Sequence, residues 1–195
     1  YEISCSLVGS EMCIRDRDVI IAGIGSFHGK EERDLAGRYV CPGFIDSHLH
    51  LESTLVTPAE LVTAASRHGT TTFIVDPHES ANVSGLAGID YILDQTEDVK
   101  ANVYVMMPSC VPATAIDDNG CTLTAEDMVP YLHNSRILGL GEVMDSISVV
   151  QGEKSMHDKL ELFEGRIRDG HAPFLEEGDL QAYAMAVSYT HLRAH

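Results

Sequence analysis

Short apolar runs alternate with stretches of helical spacing along most of the chain. Residues 18–25 and 37–50 read as strands, with the charged string GKEERD as the turn between them. Thr57-Pro58-Ala59-Glu60 reads as a helix start: Thr57 can cap, Pro58 suits the first helical position, and Glu60 completes a capping box. That helix carries Leu61, Val62, Ala64 and Ala65 and stops at His68-Gly69. Strands are then expected over 70–76, 102–108, 136–144 and 166–171. Between them fall helices around 85–94, from Thr124, over 155–164, and from Leu180 onward. The strands are apolar on both faces, as in a sheet covered on both sides. Alternation of this kind implies an α/β protein with a parallel sheet and crossover helices, either doubly wound or closed as a barrel.

Composition narrows the partners. The 195 residues carry 13 Lys+Arg against 30 Asp+Glu, a formal net charge of −17, which opposes binding to nucleic acid or to an anionic membrane. No apolar run approaches the roughly 18 residues of a membrane span. Five cysteines at irregular spacing, without a CxxC, suit a reduced cytoplasmic protein rather than a disulfide scaffold. The strings SLVGSEMCIRDR (6–17) and VSYTHLRAH (187–195) look like translated sequencing-adapter read-through. Residues 1–17 and 186–195 are therefore set aside as artefact, and 1–17 has neither the basic leader nor the apolar core of a signal peptide.

Candidate chemistry collects at strand ends. His48 and His50 are two apart, so both imidazoles project to one face and can grip one ion; two ordinary strand histidines would give the same pattern. Asp76, His78 and Glu79 in DPHES close the next strand, as catalytic groups or as a solvated, capping loop. Glu142 stands alone on an apolar strand, where a carboxylate must be paired, ligating or exposed. His171 ends the fifth strand and gains weight only beside the others. Gly23 and Gly25 lack the third glycine of a dinucleotide fingerprint, since His28 takes its place. Asp117, Asn119, Gly120 and Glu126 approach calcium-loop spacing, but Ala115 occupies the first ligand position. Cys110 and Cys121 have no histidine near them in sequence, so no nucleophile is assigned.

A strand-end HxH, a strand-four carboxylate and a strand-five histidine together resemble the metal-dependent amidohydrolases. The stretches GRYVCPGFIDSHLHLEST, TTTFIVDPHESANVSG, SCVPAT, LGLGEVMD and DGHAP are similar to the adenine deaminases within that superfamily. The resemblance implies a partial (β/α)8 TIM-type barrel with about five of the eight strands over 42–185, preceded by a remnant of a small β domain over 18–41. It implies hydrolytic deamination of adenine to hypoxanthine and ammonia by metal-activated water, with this chain an N-terminal fragment inactive by itself. His48, His50, Glu142 and His171 would hold two divalent ions, Mn2+ first and Fe2+ or Zn2+ as alternatives. Glu142 would bridge, and Asp76, His78 and Glu79 would support the metals or relay protons. The complete enzyme would be a cytoplasmic homo-oligomer acting on a small molecule, with neither nucleic acid nor membrane as partner. Glu142, where cyclic-amide hydrolases carry a modified lysine, favours the deaminase resemblance; another amidohydrolase acting on a cyclic amide or amidine, and a non-catalytic barrel, remain alternatives.

Overall fold

The structure, a computed structural model, describes residues 3–7, 12–17, 20–25, 28, 31–114, 116–187 and 192–193. The chain divides into two compact units, Tyr1–Pro42 and Gly43–His195. In the first unit, strands β1 (Ile3–Leu7), β2 (Met12–Arg17), β3 (Ile20–Gly25) and β4 (Glu31–Asp34) form a sheet in the order β3-β2-β1-β4. β1 pairs antiparallel with β2 and parallel with β4. The charged string expected as a turn thus contains a strand, and residues 37–43, expected as part of the next strand, lie outside any. Parts of both terminal strings set aside as artefact fall outside the described residues.

The second unit is a curled parallel sheet. Its strands are β5 (Phe44–Leu49), β6 (Thr70–Val75), β7 (Asn102–Pro108), β8 (Ile137–Val143) and β9 (Ile167–His171), paired in chain order, with the two-residue β10 (Leu192–Arg193) beside β9. Every pairing is parallel. The helices α1 (Pro58–Ser66), α2 (His78–Ser84), α3 (Leu86–Gln95), α4 (Ala125–Met128), α5 (Ser146–Gln151), α6 (Lys154–Leu162) and α7 (Glu177–Val187) lie between or after the strands. This is α/β architecture, a part of a TIM-type barrel. The β-branched composition of β6 and the near-complete burial of β7 and β8 follow from helices covering the sheet. Val75, Val105 and Leu140 are wholly buried on successive strands, each stabilising the unit by about 1.5–3 kcal/mol. On the edge strand β5, Phe44 is 61% exposed.

Local signals succeed unevenly. Thr124 caps α4 through a capping box, its hydroxyl accepting from Asp127 N–H while the Asp127 carboxylate accepts from Thr124 N–H at 2.8 Å. Thr57 caps α1 by position only: its side chain makes no cap hydrogen bond, so the box with Glu60 does not form. The short helices α2 and α5 lie where sequence patterning gave loop. α5 is held by Asp145, which accepts from Ser148 N–H at 3.0 Å, and by Gly152 in the left-handed conformation.

Candidate metal centre

All the site side chains project from the carboxyl ends of the parallel strands, where a barrel of this type places its chemistry. His48 lies near the end of β5 and His50 just past it, and their Nε2 atoms are 3.1 Å apart. Asp76 and His78 follow β6, Glu142 lies in β8 and His171 ends β9. Glu142 is the hub. Its Oε1 is 2.9 Å from His48 Nε2 and 3.7 Å from His171 Nδ1, and its Oε2 is 3.3 Å from His78 Nδ1 and 3.8 Å from His50 Nε2.

Backbone geometry sets these orientations. His50 Nδ1–H donates to the Asp76 carbonyl at 2.9 Å, which turns Nε2 toward Glu142 and, in the neutral ring, leaves the lone pair there. Asp169, which the sequence reading left unassigned, stands behind His48 with Oδ2 at 3.5 Å from Nδ1. Gly141 gives Asp76 room: a Cβ there would lie 2.2 Å from Asp76 Oδ2. Cys110, buried and 32 residues from His78 in sequence, lies close enough to it in space to perturb its imidazole. Glu79 is one helical position after His78, about 100° around the helix axis. Its carboxylate therefore leaves the cluster and accepts from Ser53 Oγ at 2.5 Å on the exposed rim.

The electrostatics centre on unsatisfied anionic groups. Burial pushes Glu142 up, but the His48 hydrogen bond and the charges of His48, His50 and His78 outweigh it and hold the carboxyl at about 2. Burial raises the Asp76 carboxyl. Burial alone would lower His78, yet its contacts with Asp76 and Cys110 lift it to about 11. The Asp76 Oδ1 to His78 Nδ1 distance is 3.4 Å, a charge contact rather than a well-formed hydrogen bond. Both Asp76 oxygens and His78 Nδ1 are buried without a hydrogen-bond partner. Such atoms are costly unless a cation or proton meets them. Among the described residues, two groups have ligand atoms within 4.8 Å of one another: His48, His50 and Glu142, and Asp76, His78 and Glu142. Imidazole nitrogens and carboxylate oxygens are donors suited to divalent transition ions, so this donor set fits a metal centre.

The profile of the amidohydrolase family matches residues 39–185. The chain belongs to this family. Among curated relatives, it is 56% identical over 184 residues to a protein named adenine deaminase from Desulfitobacterium hafniense (strain Y51), covering 93% of this chain and 32% of the relative. It is 48% identical over 166 residues to adenine deaminase 2 of Carboxydothermus hydrogenoformans, covering 85% of this chain and 29% of the relative. The chain thus spans about a third of the length of the curated family members it matches. Among solved structures, a 5-methylcytosine deaminase from Klebsiella pneumoniae liganded with 5-fluorocytosine superposes with a TM-score of 0.55 at 16% identity, covering 95% of this chain and 55% of that one. That likeness concerns the fold.

Proposed function

We propose that the polypeptide carrying this chain hydrolyses adenine to hypoxanthine and ammonia at the strand ends of β5 to β9. The observation that carries the reading is Glu142, whose carboxylate lies within 4 Å of nitrogens of His48, His50, His78 and His171 and is shared by both ligand groups. The choice of adenine is supported by relatives that bear the name adenine deaminase at 56% and 48% identity. In this reading His48, His50 and Glu142 would hold one divalent ion, and Glu142 with His171, 3.7 Å from Oε1, would hold a second. Mn2+ is our first choice, with Fe2+ and Zn2+ served by the same donors. Ions held there would lower the pKa of bound water from about 15.7 toward about 7 and so would supply a nucleophile at neutral pH.

The protein's own groups do the rest. Glu142, held at about 2, is a carboxylate throughout the working range. The tautomer of His50, fixed by the Asp76 carbonyl, keeps a lone pair on Nε2. The water oxygen bonds to the ring carbon that bears the amine, the C–N bond breaks, and the nitrogen leaves as ammonia. Asp76 and His78, beside Glu142 Oε2, carry the proton that must reach that nitrogen. Glu79, turned to the rim, takes no part in that transfer. Lying one helical position on, it belongs to the groove formed with Glu52 and Ser53. We place the complete enzyme in the cytoplasm as a homo-oligomer, with neither nucleic acid nor membrane as partner. The test is ammonia release by the complete polypeptide with Mn2+. Adenine should be turned over and adenosine should not; equal or better turnover of dihydroorotate or a hydantoin would overturn the assignment.

A further inference from the structure

The backbone that carries Glu142 is held in place from outside the sheet. Glu142 has φ +28°, a left-handed conformation that non-glycine residues rarely adopt and that persists only where the surroundings impose it. The Glu142 carbonyl accepts from Ser109 Oγ–H at 2.9 Å, and Ser109 N–H donates to the Gly141 carbonyl at 3.3 Å. Ser109 is itself fixed by Lys159 of α6, whose Nζ donates to the Ser109 carbonyl at 2.7 Å. Lys159 is only 7% exposed, and among the described residues no carboxylate forms an ion pair with it. A buried ammonium spent on a neutral carbonyl is a poor stabilising device, since an apolar side chain of similar volume would serve the core as well or better. Among the described residues, its hydrogen bond serves the strand end that presents Glu142.

We propose that Lys159 and Ser109 are positioning residues for Glu142. In series, they lock the strained backbone turn that aims the carboxylate between the two histidine groups. The proposal rests on the reading of Glu142 as a metal ligand. Neither residue touches the reacting atoms, so their contribution is a property of metal binding rather than of chemistry alone.

The experiment measures Mn2+ affinity of the metal-stripped complete polypeptide against a fluorescent competing chelator, with a melting curve for each variant. Lys159→Met keeps the apolar stem and removes the ammonium; Ser109→Ala removes one oxygen and keeps the proposal testable if the lysine variant does not fold. Each should raise the Mn2+ dissociation constant roughly fivefold, the loss expected from one well-placed hydrogen bond. Because the two act in series, the double variant should lose about as much as the weaker-binding single variant, rather than the product of both. Folded single variants that bind Mn2+ like the parent overturn the proposal, as do losses that multiply in the double variant. Glu142→Gln separates the two levels. If it binds Mn2+ unchanged, the ligand reading falls and takes the proposal with it. If it binds weakly while Ser109→Ala does not, only the positioning role falls.

Discussion

Replacing Gly141 by alanine perturbs the site through a single methyl group. The added Cβ would lie 2.2 Å from Asp76 Oδ2, 2.9 Å from Asp76 Cγ and 2.9 Å from Met106 Cβ. An ordinary contact of this kind is above 3 Å, so the carboxylate must retreat by roughly 1 Å or the β8 backbone must move by as much. Neither route is easy, because Asp76 is 1% exposed in a close-packed interior and Met106 blocks the other side. Overpacking of this type costs about 1–3 kcal/mol. In the complete polypeptide, about three times as long as this chain, that loss should lower the melting temperature by about 1–3 °C. Displacing Asp76 from His78 by that distance should also lower turnover of adenine on the order of a hundredfold. Gly178→Ala in α7 is the control: nothing lies within 4 Å of its Cβ position, and alanine there should be neutral or stabilising. Both variants are melted and assayed in the complete polypeptide. A Gly141→Ala protein that melts and turns over like the parent would refute the close approach of Asp76 to β8.

Two further substitutions probe the frame. Tyr183 lies across β8 and β9, its hydroxyl donating to the Val143 carbonyl and accepting from His171 N–H at 3.0 Å. Tyr183→Phe removes the bond to the Val143 carbonyl, which is buried, so thermal unfolding should show a loss of about 1–3 kcal/mol; an unchanged midpoint would mean that water or a rearrangement replaces the hydroxyl. Thr124→Ala removes a cap worth about 1 kcal/mol. Hydrogen bonds from Thr124 hold the Asp127 carboxyl below its usual value. The hydroxyl's share of that contribution is present above the ordinary aspartate range and is lost as pH falls through the depressed value, so the gap between parent and variant should narrow in acid, alanine keeping the backbone bond. A gap that stays constant down to about pH 2 would contradict it.

Much of the architecture was legible because the periodicities are strong. β6 to β9 read as strands from runs buried on both faces, and the HxH pair from its spacing of two, since any two strand residues so placed share a face. Glu142 stood out as the lone carboxylate in an apolar run. What escaped was decided either by helical phase or by contacts between distant segments. Patterning gave no helix at α2, so nothing separated His78 from its neighbour; once α2 begins at His78, one step of helix turns Glu79 to the rim. α5 was missed because SISVV is rich in β-branched residues, although Asp145 three residues before Ser148 was a capping signal. Lys159, Ser109, Cys110 and Tyr183 carry no local mark at all. Their roles come from packing between segments 32 to 50 residues apart: Cys110 on His78, Ser109 under Glu142, Tyr183 against Val143, and Lys159 on Ser109.

The charge of the chain and the design of the site bear on each other. A chain with 30 acidic against 13 basic residues surrounds itself with negative potential, which concentrates cations and repels anions. The site adds buried carboxylates at Asp76 and Glu142, with Asp169 behind His48, and it meets them with imidazoles rather than with lysine or arginine. The distinction matters chemically. A guanidinium or ammonium would neutralise the carboxylates permanently, whereas an imidazole can surrender its proton and become a ligand itself. Lys159, the one buried lysine or arginine among the described residues, is spent on the Ser109 carbonyl and so leaves the carboxylates available. A centre so composed is matched to a divalent ion and, on the substrate side, to a molecule that brings no negative charge of its own. The neutral heterocycle proposed as substrate meets that condition, while a phosphorylated nucleotide would have to enter against the field of this acidic chain.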